Sequence, residues 1–241
     1  DAFSDDSHAA FVTAAKKIDS DYERRRALNA LLQRDRLAPT TVDALLDAAS
    51  TIDSDYELAE LLIDVSKKYA INDETRPTYI KALGSIQSDY EHRRVLSAIV
   101  AGGGLTPAVT RTMLEDARRI GSDYELAEFL ILMAKKGGLD ASTRDAYFAA
   151  ADKIKSDYEH HRALTPLLTR DLLTKDIAKG VLTSAAKIDS DYECAQLLVE
   201  VANAIPIDDD LRPAFERAAD TIQGEYEYGR AMGAVRRRVT R

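Results

Sequence analysis

Tyrosine and arginine stand side by side at regular intervals in this 241-residue chain. Tyr22 precedes Arg25 and Arg26, Tyr90 precedes Arg93 and Arg94, and Tyr158 precedes His161 and Arg162. A ring followed by cations three and four residues later shares one side of a helix with them. The chemistry such a row offers is recognition, through cation–aromatic contacts and charge-assisted hydrogen bonds. Two uses are open to the arginines. In the copies between them, the position four after the tyrosine carries Glu60, Glu128 and Gln196. Equivalent positions on stacked helices lie on the order of 10 Å apart, within reach of these side chains. An inter-repeat ion-pair ladder is the preferred expectation, and a row that binds an acidic protein or peptide is the functional one. The tyrosines face the same choice. They wedge against the next repeat and bond their hydroxyls there, which is preferred, or they line a groove for a peptide.

Catalytic chemistry has little to work with. His8, His92, His160 and His161 form no H-E-x-x-H, and no Cys/His set has metal-ligand spacing, so no metal and no cofactor are expected. Gly102, Gly103 and Gly104 follow no strand and are read as a connector. No G-x-S-x-G and no Ser/His/Asp constellation can be picked out. The Asp and Glu beside each tyrosine recur in every copy, whereas a catalytic pair normally occurs once. The expectation is that the chain is not an enzyme.

Composition narrows the partners. A net charge of −8 argues against nucleic acid, which needs a basic surface. The basic tail Arg236-Arg237-Arg238-Val239-Thr240-Arg241 is short and is read as a solvated end. Cys194 is the single cysteine, which excludes an internal disulfide framework. No apolar run reaches the roughly 18 residues of a membrane span, so this segment is not expected to insert. The chain starts at Asp1 without Met, as expected of a processed or trimmed form.

The elements that position these residues follow from a repeat. Ser20-Asp21-Tyr22-Glu23 returns at Ser54, Ser88, Ser122, Ser156 and Ser190, with a degraded copy at Gly224. Successive tyrosines are 34 residues apart throughout, which marks stacked supersecondary units. Ser followed three residues later by Glu is a capping box: the Ser oxygen takes the Glu N–H, and the Glu carboxylate reaches back to the Ser N–H. Each box therefore predicts the start of a helix, B. Five, six and nine residues after the tyrosine stand core positions such as Leu61, Leu62 and Val65, Val95, Leu96 and Ile99, and Leu197, Leu198 and Val201. The tyrosine falls on the opposite side.

Ahead of each box a second helix, A, carries a stripe. It comprises Ile18, Ile52, Ile86, Ile120, Ile154, Ile188 and Ile222, an Ala (Leu83 in the third copy) three earlier, and a larger residue seven earlier (Phe11, Leu45, Tyr79, Met113, Tyr147, Val181, Phe215). Its start is predicted after Phe3, Leu37, Ile71, Leu105, Leu139, Leu173 and Ile207, capped by Ser4, Asn72, Thr106, Asp140, Thr174 and Asp208, with Ala38 the exception. The B-to-A connections carry breakers, including Gly137-Gly138, and the A-to-B turn is predicted to be one or two residues. Charge and polarity alternate between copies, giving a true unit of 68 residues. Ile63, Ile131 and Val199 alternate with Asn29, Ser97 and Thr165, and are expected to be distinctly more buried.

The 34-residue length is that of tetratricopeptide repeats, whose Trp, Gly and Pro positions are not matched. The pattern I-x-S-D-Y-E with following Arg and Leu resembles the helical repeats that follow the membrane domain in bacterial membrane-anchored metallopeptidases of the β-lactam-sensor type. That resemblance implies a bacterial, extracytoplasmic sensor or interaction segment. The peptidase zinc motif has no match here, so no catalytic residue carries over. The fold expected is all-α: one right-handed α-solenoid over 1–241, of seven helical hairpins and about fourteen helices. The function expected is a non-catalytic protein- or peptide-interaction scaffold. A regulatory segment of a larger membrane-anchored peptidase is the alternative.

Overall fold

A computed structural model of the chain describes residues 5–34, 37–72, 75–103, 105–136 and 139–239. The expectations at Phe3, Ser4, Gly104, Gly137 and Gly138 lie outside the described residues, as do the side chains of the basic tail. Among the described residues there are fourteen α-helices and no strand. They fall into two compact units, Asp1–Val109 and Thr110–Arg241.

The first unit holds α1 (Asp5–Ala15), α2 (Asp21–Arg34), α3 (Pro39–Ala49), α4 (Asp55–Lys68), α5 (Arg76–Leu83) and α6 (Asp89–Gly102). Odd helices are the A helices and even ones the B helices. α1 packs on α3 and α3 on α5, while α2 packs on α4 and α4 on α6, so A and B helices form separate layers. α7 (Pro107–Ala117) starts at the boundary. The second unit holds α8 (Asp123–Lys135), α9 (Arg144–Ala151), α10 (Asp157–Leu164), α11 (Lys175–Ala185), α12 (Asp191–Ala204), α13 (Arg212–Ala219) and α14 (Glu225–Val239). Here too α9, α11 and α13 stack in one layer and α8, α10, α12 and α14 in the other.

The core lies between the layers. The A-helix residues Leu45, Tyr79, Met113, Tyr147, Val181 and Phe215 are buried, and so are Ala49, Leu83, Ala117, Ala151, Ala185 and Ala219. Phe11, in the first copy, stays partly exposed. The B-helix positions Leu61, Leu62, Val65, Leu197, Leu198 and Val201 are fully buried against them. Two buried tyrosines also tie the layers by hydrogen bonds. Tyr79 donates to the Leu62 carbonyl at 2.9 Å. The Tyr147 hydroxyl lies 3.2 Å from the Leu130 carbonyl and 2.6 Å from that of Ala163, touching α8 and α10 at once.

The termini depart from the sequence reading in three ways. The A-to-B connections are five residues, as at 50–54 and 186–190, rather than one or two. After α3 the chain tightens, with Ile52 N–H donating to Ala49 O, which buries Ile52 before the backbone extends into Ser54. Second, Asn72, Asp140 and Asp208 close turns ahead of α5, α9 and α13 rather than capping them. Asp140 Oδ1, for example, accepts from the N–H groups of Ser142 and Thr143. These A helices are consequently only 8 residues long. Thr174 does cap α11, accepting from Ile177 N–H at 3.2 Å. Third, α10 stops at Leu164 and continues as a short 3-10 helix, Thr165–Leu168. Pro166 has no N–H for the next α-helical bond, which ends the regular ladder there.

Candidate functional site

Each motif residue has a distinct structural use. The serine oxygen accepts from the Glu N–H at 3.4 Å in all six serine copies, so Ser20, Ser54, Ser88, Ser122, Ser156 and Ser190 cap their helices. The reciprocal half of the box is different from the expectation. The Ser54 N–H donates to Asp21 Oδ2 at 2.8 Å, and the same link joins Ser88 to Asp55, Ser156 to Asp123, Ser190 to Asp157 and Gly224 to Asp191. The residue before each also donates to that carboxylate. The motif aspartate thus reaches across to the next repeat and takes two backbone N–H groups, leaving the glutamate free for other partners. An anionic acceptor of two N–H groups makes a strong link.

The glutamates turn to the arginines. Arg94 donates to Glu91 on its own helix and to Glu60 on α4, both at 2.6 Å. Arg162 repeats this with Glu159 at 2.6 Å and Glu128 at 2.5 Å. Arg230 bonds Glu227 and, at 2.7 Å, the Gln196 side-chain oxygen. Hydrogen bonds to Glu60 and Glu128 push the Arg94 and Arg162 guanidinium groups still further toward the charged form. Arg25 pairs with Glu57 across α2 and α4, and Arg26 stays on its own helix with Glu23. The ion-pair reading of these arginines is what the geometry holds.

The tyrosines do not wedge into the stack. Tyr22, Tyr56, Tyr90, Tyr124, Tyr158 and Tyr192 are 50 to 58% exposed and Tyr226 is 77% exposed. Guanidinium groups lie over their faces. Arg25 and Arg26 each sit 5.5 Å from the Tyr22 ring, and Arg93 sits 5.3 Å from Tyr90. Arg94 lies between Tyr56 and Tyr90, and Arg162 between Tyr124 and Tyr158.

Between Tyr158 and Tyr192 the cation is replaced. His161 stands where Arg25 stands in the first copy, three residues after its tyrosine. Its Nδ1 is 2.6 Å from Glu193 and its Nε2 3.3 Å from Glu200, both on α12. Burial lowers the imidazole pKa, but the hydrogen bonds to Glu200 and Glu193 outweigh it and the net shift is upward. The hydrogen bond from His161 in turn holds Glu200 below the ordinary carboxylate range. A cavity of about 570 Å³ opens here, lined by Tyr158, Tyr192, His161, Glu193, Ile131 and Pro166 among others.

The 68-residue alternation follows from polar pairing rather than from burial. Ile63 is buried, but Ile131 and Val199 are half-buried, as are Asn29 and Ser97, and Thr165 is exposed. The sharp burial difference expected between the two sets is not there. Asn29 instead donates to Asp64 on α4 at 3.1 Å, and Thr165 donates to Glu200 on α12 at 3.0 Å. Asn29 and Thr165 are thus polar where the next B helix presents a carboxylate to them, whereas at Ser97 the residue at the same offset is Leu132 and the structure gives no such pair.

One constellation escaped the sequence. His160 Nε2 is 2.8 Å from Ser184 Oγ, which is 2.6 Å from Asp152 Oδ1. The carboxylate can only accept, so the serine donates to Asp152 and receives the His160 N–H. A serine nucleophile needs its proton shared with the imidazole, the reverse arrangement. Burial lowers the His160 pKa. The three residues come from different helices and turns, at separations no local motif encodes. Burial also pushes up the Cys194 thiol, away from the reactive thiolate. Among the described residues no group of His, Cys, Asp and Glu could hold a metal ion, and no helix is long and apolar enough to cross a membrane.

No family model, curated protein or solved structure matches the chain.

Proposed function

We propose that the chain is a non-catalytic scaffold that docks a protein or peptide along the tyrosine-bearing face of its B helices. One observation carries this reading. In each full copy the motif's Ser caps its helix, while the tyrosine beside it keeps half or more of its surface in solvent. A ring repeated at one position, half in solvent and packed only against surface guanidinium groups, offers a contact surface, and tyrosine suits that role because a large rigid ring loses little entropy on binding. The row's positive charge is already spent on Glu60, Glu91, Glu128 and Glu159, so an acidic ligand is not what the proposal rests on.

Selection of a displayed random-peptide library on the immobilised chain tests it. Selected clones are expected to lose binding to a Tyr124→Ala/Tyr158→Ala/Tyr192→Ala variant whose melting temperature stays within a few degrees of wild type. Clones that bind both proteins equally would remove the tyrosine face from the account.

A further inference from the structure

We propose that the ligand of this face is a proline-rich segment in the polyproline II conformation, with one proline ring seated in the cavity between Tyr158 and Tyr192. The proposal rests on the docking reading above and specifies its partner. The first argument is spacing. Arg162 lies 5.8 Å from the ring centres of both Tyr124 and Tyr158, so those centres are at most about 12 Å apart, in keeping with packed helices. Arg94 sets the same limit for Tyr56 and Tyr90 in the other unit, at 6.0 and 5.9 Å. A polyproline II helix advances about 9.3 Å per three-residue turn, presenting residues i, i+3 and i+6 along one edge. A β-strand ligand gains its affinity by pairing its backbone with a sheet edge, and there is no strand among the described residues. An α-helix returns at i+7 after about 10.5 Å, but it must bury a continuous apolar stripe. The face offers none, because guanidinium–carboxylate pairs interrupt it at Arg94 and Arg162.

The second argument is chemical complementarity. A polyproline II chain has every backbone carbonyl unbonded and, at proline, no N–H to satisfy. The face supplies matching donors, since an exposed phenol stands at the head of each B helix. Aromatic-lined grooves with hydroxyl donors are the general solution for such ligands. Within the second unit the slot between Tyr124 and Tyr158 holds Arg162, whereas the slot between Tyr158 and Tyr192 keeps a cavity of about 570 Å³ beside the pairing of His161 with Glu193 and Glu200, with Arg162 also in its lining. Ile131 and Pro166 give that cavity apolar surface for a pyrrolidine ring.

The test is fluorescence anisotropy with the full chain and labelled decaproline. Decaglutamate and an amphipathic Leu/Lys/Ala helix of the same length serve as comparison probes. Saturable decaproline binding is expected, weakened at least about five-fold by Tyr158→Ala and by Tyr192→Ala, whose melting curves match wild type. Absence of saturable decaproline binding, or equal binding by both variants, overturns the proposal. If decaproline fails and the helix or decaglutamate binds in a tyrosine-dependent way, the docking face stands and the polyproline ligand falls. If no probe and no library clone depends on the tyrosines, both fall.

Discussion

His161 sits between two carboxylates, with Tyr158 and Arg162 beside it on α10, and its raised pKa has a sign that can be worked out. A folded-state pKa above the unfolded value gives stability that is full below the ordinary histidine value of 6.5. That stability is lost as pH rises through the raised value, when one ring nitrogen turns its lone pair toward a glutamate. Arginine at this position, as at Arg25, keeps its charge throughout. Wild type is therefore expected to lose more melting temperature than His161→Arg between about pH 6 and about pH 9. Equal losses in the two proteins would show that the imidazolium is not what holds α10 to α12. The serine cap is a smaller matter. Ser88→Ala should cost about 1 kcal/mol and raise amide exchange most near residues 88 to 92. Unchanged exchange there would mean that the Glu91 N–H does not depend on the Ser88 oxygen.

At the scale of helices, the two layers are held by apolar burial and by a few hydroxyls aimed at carbonyls. Tyr147→Phe keeps the ring and removes the contacts to Leu130 and Ala163, so it should cost about 1 kcal/mol in urea unfolding. No measurable loss would mean that the ring alone joins α9 to α8 and α10. Much at this scale was legible in the sequence. The 34-residue period located every B helix, six through a Ser cap, which is a local signal, and the last through its spacing alone, and the three-and-seven stripe found the buried face of the A helices. Contacts between repeats were not legible. Nothing local in the motif marks a use between repeats for Asp21, Asp55, Asp123, Asp157 and Asp191, and only packed neighbours show that each serves the next repeat's backbone. The exposure of the tyrosines was likewise hidden. Periodicity placed them opposite the core, but it could not say whether a neighbouring repeat covers them.

For the molecule as a whole, each repeat within a unit touches its neighbours in sequence, so damage should stay local. Leu198 is fully buried in α12, and Leu198→Ala is expected to cost about 2–5 kcal/mol. Native-state amide exchange should accelerate first in α11 to α13 and leave α2 to α4 protected. A uniform rise over all helices would indicate that the chain opens as one cooperative body. The partner stayed out of reach of the sequence for a physical reason. Its evidence is an arrangement of rings and filled or open slots, which exists only once helices from different copies stand side by side.

The central claim is that adjacent motif residues divide the labour: aspartate joins repeats, and tyrosine faces a partner. Urea unfolding of two single variants at neighbouring positions tests this most directly. Asp157→Ala leaves the N–H groups of Asp189 and Ser190 without their acceptor and should cost about 2–3 kcal/mol. Tyr158→Ala removes an exposed ring and one contact with Arg162, and should cost under about 1 kcal/mol. Comparable large losses in both variants would contradict the account, because the tyrosine would then be part of what holds the stack together.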